Sequence, residues 1–166
     1  MQSKTIFDKN DVVNFIKAHY FEKKNKIIGP IMLQKTLYFL FAYWCGFVEY
    51  AKNNKDNEVE ISYPCYLFEP SFTAWAFGPV DISVYEDFKE NKTYNEEQYK
   101  NFFNEVDSTV EEFVMCYINK CFNTSEFGLS DVSRKDMCWK RHRHCGNKTI
   151  PPEEIVKEYT NKYRSE

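Results

Sequence analysis

Residues 30–50 read Pro30-Ile31-Met32-Leu33-Gln34-Lys35-Thr36-Leu37-Tyr38-Phe39-Leu40-Phe41-Ala42-Tyr43-Trp44-Cys45-Gly46-Phe47-Val48-Glu49-Tyr50, and their pattern decides the fold. Leu33, Leu37, Leu40, Phe41 and Trp44 share one face of a helix, and Tyr38, Phe39, Tyr43 and Phe47 extend the apolar surface nearly all the way round. A helix apolar on most sides belongs in the middle of a domain, with other elements packed around it. Its unbroken apolar run, Leu37 to Val48, is 12 residues long. That is short of the roughly 20 needed to span a bilayer, so the segment reads as a buried core helix and no membrane contact is expected. Pro30 suits the first turn, where a missing N–H is harmless. The polar residues Gln34, Lys35 and Thr36 cluster near the start. Buried polar groups are normally hydrogen-bonded within the protein. Gln34 and Lys35 are therefore expected to hold a turn, with contact to a partner as the second reading.

Outward from this helix the chain alternates helical signals and turns. Val12, Phe15, Ile16, His19 and Tyr20 have helical spacing over 11–22, with Asn10 or Asp11 as N-cap. His19 lies on the apolar face and reads as a hydrogen-bonded structural histidine. After a polar loop at 51–58, Val59, Ile61 and Tyr63 alternate with Glu60 and Ser62. That is a short strand signal, confined by Pro64 and Pro70. Phe72-Thr73-Ala74-Trp75 offers a second strand ended by Gly78-Pro79, so a small hairpin is expected near residues 59–77.

Helical spacing resumes at Ile82, Tyr85 and Phe88. Thr93 and Glu96 match a capping box. The stripe Phe102, Val106, Val110, Phe113, Val114, Tyr117, Ile118 and Cys121 predicts one long helix, or two broken near Asp107-Ser108. Ser130 is a candidate cap for a short helix over 131–141. Pro151-Pro152-Glu153-Glu154 opens a last helix buried through Ile155, Tyr159 and Tyr163. The expected fold is mainly α: one compact multi-helix domain spanning 1–166, with its core at about 10–163, built around the central apolar helix.

Composition agrees with a packed core. Of 166 residues, 43% are hydrophobic and 18% aromatic, with 15 Phe, 12 Tyr and 3 Trp. Aromatic side chains each bury a large area. The net charge of −3 gives no global attraction to nucleic acid or an anionic membrane. Met1-Gln2-Ser3-Lys4 is not followed by an apolar signal segment. The six cysteines are therefore expected to be reduced thiols in a cytoplasmic protein. GxGxxG, GxxxxGK[ST], GxSxG and HExxH do not occur. With five glycines and three histidines, no catalytic constellation and no cofactor is expected.

Two features of the C-terminal third are open to more than one reading. Cys138, His142, His144 and Cys145, with Cys116 and Cys121 on the preceding helix, have the chemistry of zinc ligands. There is no CxxC pair, and Lys140, Arg141 and Arg143 would sit close to the cation. Buried Cys138 and Cys116 beside exposed histidines is the favoured reading. The same stretch, Arg134, Lys135, Lys140, Arg141, Arg143 and Lys148 with Trp139 between them, is basic. It reads first as a solvated charged face, next as a contact for nucleic acid or an acidic protein.

Three segments together resemble the Panacea domain, the family of SocA-like antitoxins and phage-associated GepA-like proteins. Leu33-Gln34-Lys35-Thr36-Leu37-Tyr38-Phe39 is similar to the family's LQKLLYF helix. Phe72-Thr73-Ala74-Trp75-Ala76-Phe77-Gly78-Pro79-Val80 is similar to FEAWxYGPV, and Val84-Tyr85 follows it. Leu129-Ser130 to Trp139 is similar to LSxxTHxxxPW, departing from it with Ser133-Arg134 in place of Thr-His and Cys138 in place of Pro.

The resemblance implies an antitoxin that neutralises a cognate toxin by binding it, in one mode as an adaptor that delivers the toxin to a protease. Gln34, Lys35, Trp75, Phe77, Gly78, Pro79, Arg134 and Trp139 are the candidate partner-binding residues, taken from motif position and residue type. The alternatives are a DNA-binding regulator using residues 134–148, and a phage or mobile-element factor that inhibits a host protein.

Overall fold

A computed structural model describes residues 4–54, 63–146 and 148–164. Among these residues the chain forms eight helices and one two-stranded antiparallel sheet. Helix α1 (Lys9–Lys24) is capped by Asp8, which accepts from the Asn10 amide at 2.8 Å, and ends at Asn25 in the left-handed conformation. Helix α2 (Pro30–Asn53) is the central element. Strands β1 (Phe72–Trp75) and β2 (Gly78–Asp81) follow, then α3 (Ile82–Glu90), α4 (Glu96–Asn101) and α5 (Ser108–Phe122). The chain closes with α6 (Glu126–Ser133), α7 (Met137–Arg143) and α8 (Pro152–Arg164).

The apolar surface of α2 is covered as its sequence demands. Helices α1, α3, α5, α6 and α8 and strand β2 all pack on it. Leu33, Leu37, Tyr38, Leu40, Phe41, Ala42 and Trp44 are fully buried. By length and composition α2 is apolar enough to cross a membrane, yet 83% of its most apolar window is buried by the rest of the chain. Its closest neighbour is α8, and Gly46 permits the approach: a Cβ there would lie 2.6 Å from the Tyr159 carbonyl oxygen. Aromatic rings fill the remaining space. Phe102 stacks between Phe7 and Phe15, and Trp44 meets Phe113 and Tyr63 edge-on while its indole N–H donates to the Pro64 carbonyl at 3.1 Å.

The hairpin is offset from its expected position. Residues 55–62 lie outside the described residues, and Tyr63 is in no strand. The pairing is instead Phe72 with Asp81 through Trp75 with Gly78. Gly78-Pro79 opens the second strand rather than ending the first. Proline is tolerated because β2 is an edge that needs no donor at that position. On its other side β1 receives the 148–150 segment, through Ala74 N–H to Lys148 O and Ile150 N–H to Phe72 O, each at 2.8 Å.

Other local expectations shift for identifiable reasons. Asn95, not Thr93, caps α4, because the Asn14 amide fixes the Asn95 backbone and leaves its side chain facing Gln98 N–H. The Phe102–Cys121 stripe is broken as the second alternative has it: α4 ends at Asn101 and Asp107 caps α5. Residues 131–141 are not one helix. Ser125 caps α6, Ser130 lies buried inside it, and α7 begins at Met137. Cys116 is exposed rather than buried, and Ile82 faces solvent while Val84 and Phe88 carry the buried face of α3. His19 is buried and shares a hydrogen bond with the Tyr99 hydroxyl at 2.9 Å, and burial lowers its pKa.

Candidate functional site

From Trp75 to Asp81, every second carbonyl of the hairpin is held by a side chain from elsewhere in the fold. Trp139 Nε1 of α7 donates to the Trp75 carbonyl at 2.8 Å. Ser130 Oγ of α6 donates to the Phe77 carbonyl at 2.6 Å. Lys35 Nζ of α2 donates to the Pro79 carbonyl at 2.7 Å. Gln34 takes both polar groups of Asp81, donating to its carbonyl at 3.1 Å and accepting from its amide at 2.9 Å. The Asp81 side chain caps α3 through Val84 N–H and pairs with Lys9 at 2.8 Å. Gly78 sits at φ 114° directly over Lys35 and Ser133, where a Cβ would collide with Ser133 Oγ. Only glycine adopts that conformation without strain.

The result is a rigid turn that thrusts Phe77 into solvent, 54% exposed. Beside it lies an open groove of about 560 Å³. Pro30, Ile31, Gln34 and Lys35 of α2 line it together with Trp75, Ala76, Phe77 and Val80 of the hairpin, and Tyr85, Arg143 and Lys148 complete it. Trp75 meets Tyr85 edge-on at 5.2 Å. Lys35, Arg143 and Lys148 line the groove, and no carboxylate does among the described residues. Lys35 is 1% exposed, and burial, with the charge of Arg134 behind it, pushes its pKa down to about 7. A slightly larger hollow of about 590 Å³ lies between α1 and the α3–α4 connection. Two of its polar side chains are engaged, Asn14 with Asn95 and Lys17 with the Asn91 carbonyl.

A second polar centre fixes α7, and with it Trp139 and Arg143. Asp136 is fully buried and accepts from the Tyr38 hydroxyl at 2.6 Å, the Tyr159 hydroxyl at 2.5 Å and the Lys162 ammonium. Burial raises both tyrosine pKa values well above the ordinary range. Glu158 of α8 caps α7, accepting from Met137 N–H at 2.9 Å and Cys138 N–H at 2.8 Å.

The eight candidate binding residues thus divide. Gln34, Lys35, Trp75 and Phe77 line the groove, and Gly78 and Pro79 open the strand that follows the Phe77 turn. Arg134 and Trp139 lie outside it: Arg134 pairs with Asp131, and Trp139 is spent on the Trp75 carbonyl. Ile31, Tyr85, Arg143 and Lys148 join the groove without having been singled out for it. Ile31 stands one turn before Gln34 and Lys35, a spacing legible in sequence, whereas the arrival of Arg143 and Lys148 depends on how α7 docks.

The zinc set does not converge. Cys138 faces the core beside the Tyr38 hydroxyl, His142 pairs with Glu154, Cys145 donates to the Arg141 carbonyl, and His144 is exposed. Among the described residues no three His, Cys, Asp or Glu side chains are placed to hold a metal. The basic segment is also partly neutralised, Arg134 by Asp131 and Arg141 by Glu154. A recognition helix reads base edges with its N-terminal residues, but the N-terminus of α7 is covered by the Glu158 carboxylate.

Set against family models, curated proteins and solved structures, the chain matches none of them.

Proposed function

We propose that this protein is an antitoxin-type binder that neutralises a toxin protein by docking it on the groove beside the Phe77 turn. The motif residues that resemble the Panacea family support the antitoxin reading, since they build this groove: Gln34 and Lys35 from the first motif, Trp75, Ala76, Phe77 and Val80 from the second. The observation that carries it is the exposed Phe77 on a turn whose carbonyls are pinned by α2, α6 and α7. A large aromatic carried on a pinned backbone beside an apolar groove costs little backbone ordering on binding. Binding energy concentrates in a few such anchors. Delivery of the bound toxin to a protease is the further capacity this reading includes.

The test is co-expression with the product of the adjacent gene. The neighbour is toxic alone, is rescued by this chain and co-purifies with it, and Phe77→Glu loses both rescue and co-purification. A harmless neighbour, or rescue unchanged by Phe77→Glu, refutes the reading.

A further inference from the structure

We propose that the groove takes an acidic-apolar segment of its protein partner: one large apolar side chain in the hollow, with carboxylate side chains adjacent to it in sequence. This rests on the protein-binding reading above and adds the chemistry of the ligand. The walls contributed by Pro30, Ile31, Ala76 and Val80 are aliphatic, and Trp75, Phe77 and Tyr85 are aromatic. Such a hollow accepts a large apolar side chain, and its volume of about 560 Å³ is within the range of ligand-binding clefts.

The charge is one-sided. Lys35, Arg143 and Lys148 line the groove, and among the described residues no lining residue is acidic. Two arginines of the basic segment have carboxylates, Asp131 for Arg134 and Glu154 for Arg141. Arg143 and Lys148 have no ion pair among the described residues, so their charge is available to a ligand. Complementary charge at an interface selects partners and speeds encounter. A polynucleotide would find bases to stack on Phe77, but the chain as a whole carries −3 and offers only this short cationic edge. A protein segment with two or three carboxylates fits it better.

The test is fluorescence anisotropy on the full chain with three labelled nonapeptides: a Trp flanked by Glu, a Trp flanked by Lys, and the Glu peptide with Ser in place of Trp. The Glu-flanked Trp peptide binds at least ten-fold tighter than either control. Arg143→Glu/Lys148→Glu reverses the preference toward the Lys-flanked peptide. Lys148→Glu alone, at an exposed position, narrows it and guards against misfolding of the double variant. Equal binding of Glu- and Lys-flanked peptides overturns the proposal, as does failure of the Glu peptide to bind. Displacement of that peptide by a single-stranded 12-nucleotide oligomer at lower concentration than unlabelled peptide also overturns it, in favour of nucleic acid. Phe77→Glu separates the two levels: if it abolishes toxin capture while the peptides show no charge preference, the groove stands and the acidic ligand falls.

Discussion

Lys35 sets up a quantitative experiment, because the fold keeps an ammonium group where it is unwelcome. Its side chain is 1% exposed and its pKa is pushed down from 10.5 to about 7, mainly by burial. The unfolded chain holds the proton up to about 10.5, whereas the folded chain surrenders it near 7. Between those values the unfolded state binds more protons, so stability rises with pH. Each pKa unit corresponds to about 1.4 kcal/mol, so the penalty is about 5 kcal/mol below pH 7 and vanishes above 10.5. From pH 6 to 9 the wild-type chain therefore gains about 2–3 kcal/mol from this residue.

Lys35→Met removes the penalty but leaves the Pro79 carbonyl without its donor, a loss of about 1–3 kcal/mol. Near pH 7 the variant is more stable than wild type by about 2–4 kcal/mol. Urea unfolding of both proteins at pH 6, 7, 8 and 9 measures the difference, and subtraction cancels the other titrating groups. The advantage of the variant shrinks as pH rises. A variant less stable than wild type at pH 7, together with a difference that does not change with pH, refutes the account of Lys35.

Other positions give sharper structural tests. Gly78→Ala forces a Cβ onto Ser133 Oγ at a positive φ and costs about 2–4 kcal/mol, read as a lowered urea midpoint. Gly46→Ala pushes α8 away from α2 and costs about 1–3 kcal/mol, with loss of near-UV circular dichroism from the Tyr159 environment. Glu158→Ala removes both caps on α7 and costs about 1–2 kcal/mol in thermal unfolding. Asp136→Asn weakens three hydrogen bonds at once, one of them to a charged group, and costs about 2–4 kcal/mol. Phe77→Glu, at an exposed turn position, changes stability by no more than about 0.5 kcal/mol, which makes it a clean binding variant.

Much of the architecture was legible in the chain because it rests on periodicity. The all-round apolar pattern of residues 33–48 placed α2 at the centre, and the break at Asp107-Ser108 was visible because aspartate is a strong N-cap. The polar pair Gln34-Lys35 was legible as a tie to a turn, since buried polar groups need partners. Neighbouring caps were harder. Asn95 outcompetes Thr93 only because Asn14, 81 residues away, holds its backbone. Ser130 looked like a cap and is instead a donor to the hairpin, a contact 53 residues distant.

The sequence by itself determined that the fold is mainly helical, that α2 is buried at its centre, and that Phe72–Trp75 forms a strand. Those properties follow from local backbone preference and from the spacing of apolar side chains, both written within a dozen residues. Only the tertiary structure decided that Trp75, Phe77, Lys35, Arg143 and Lys148 share one groove, and that Asp136 is a buried acceptor for Tyr38, Tyr159 and Lys162. These depend on how α7 docks against α8 and the hairpin, an outcome of packing and hydrogen-bond satisfaction across the whole chain that no local pattern encodes.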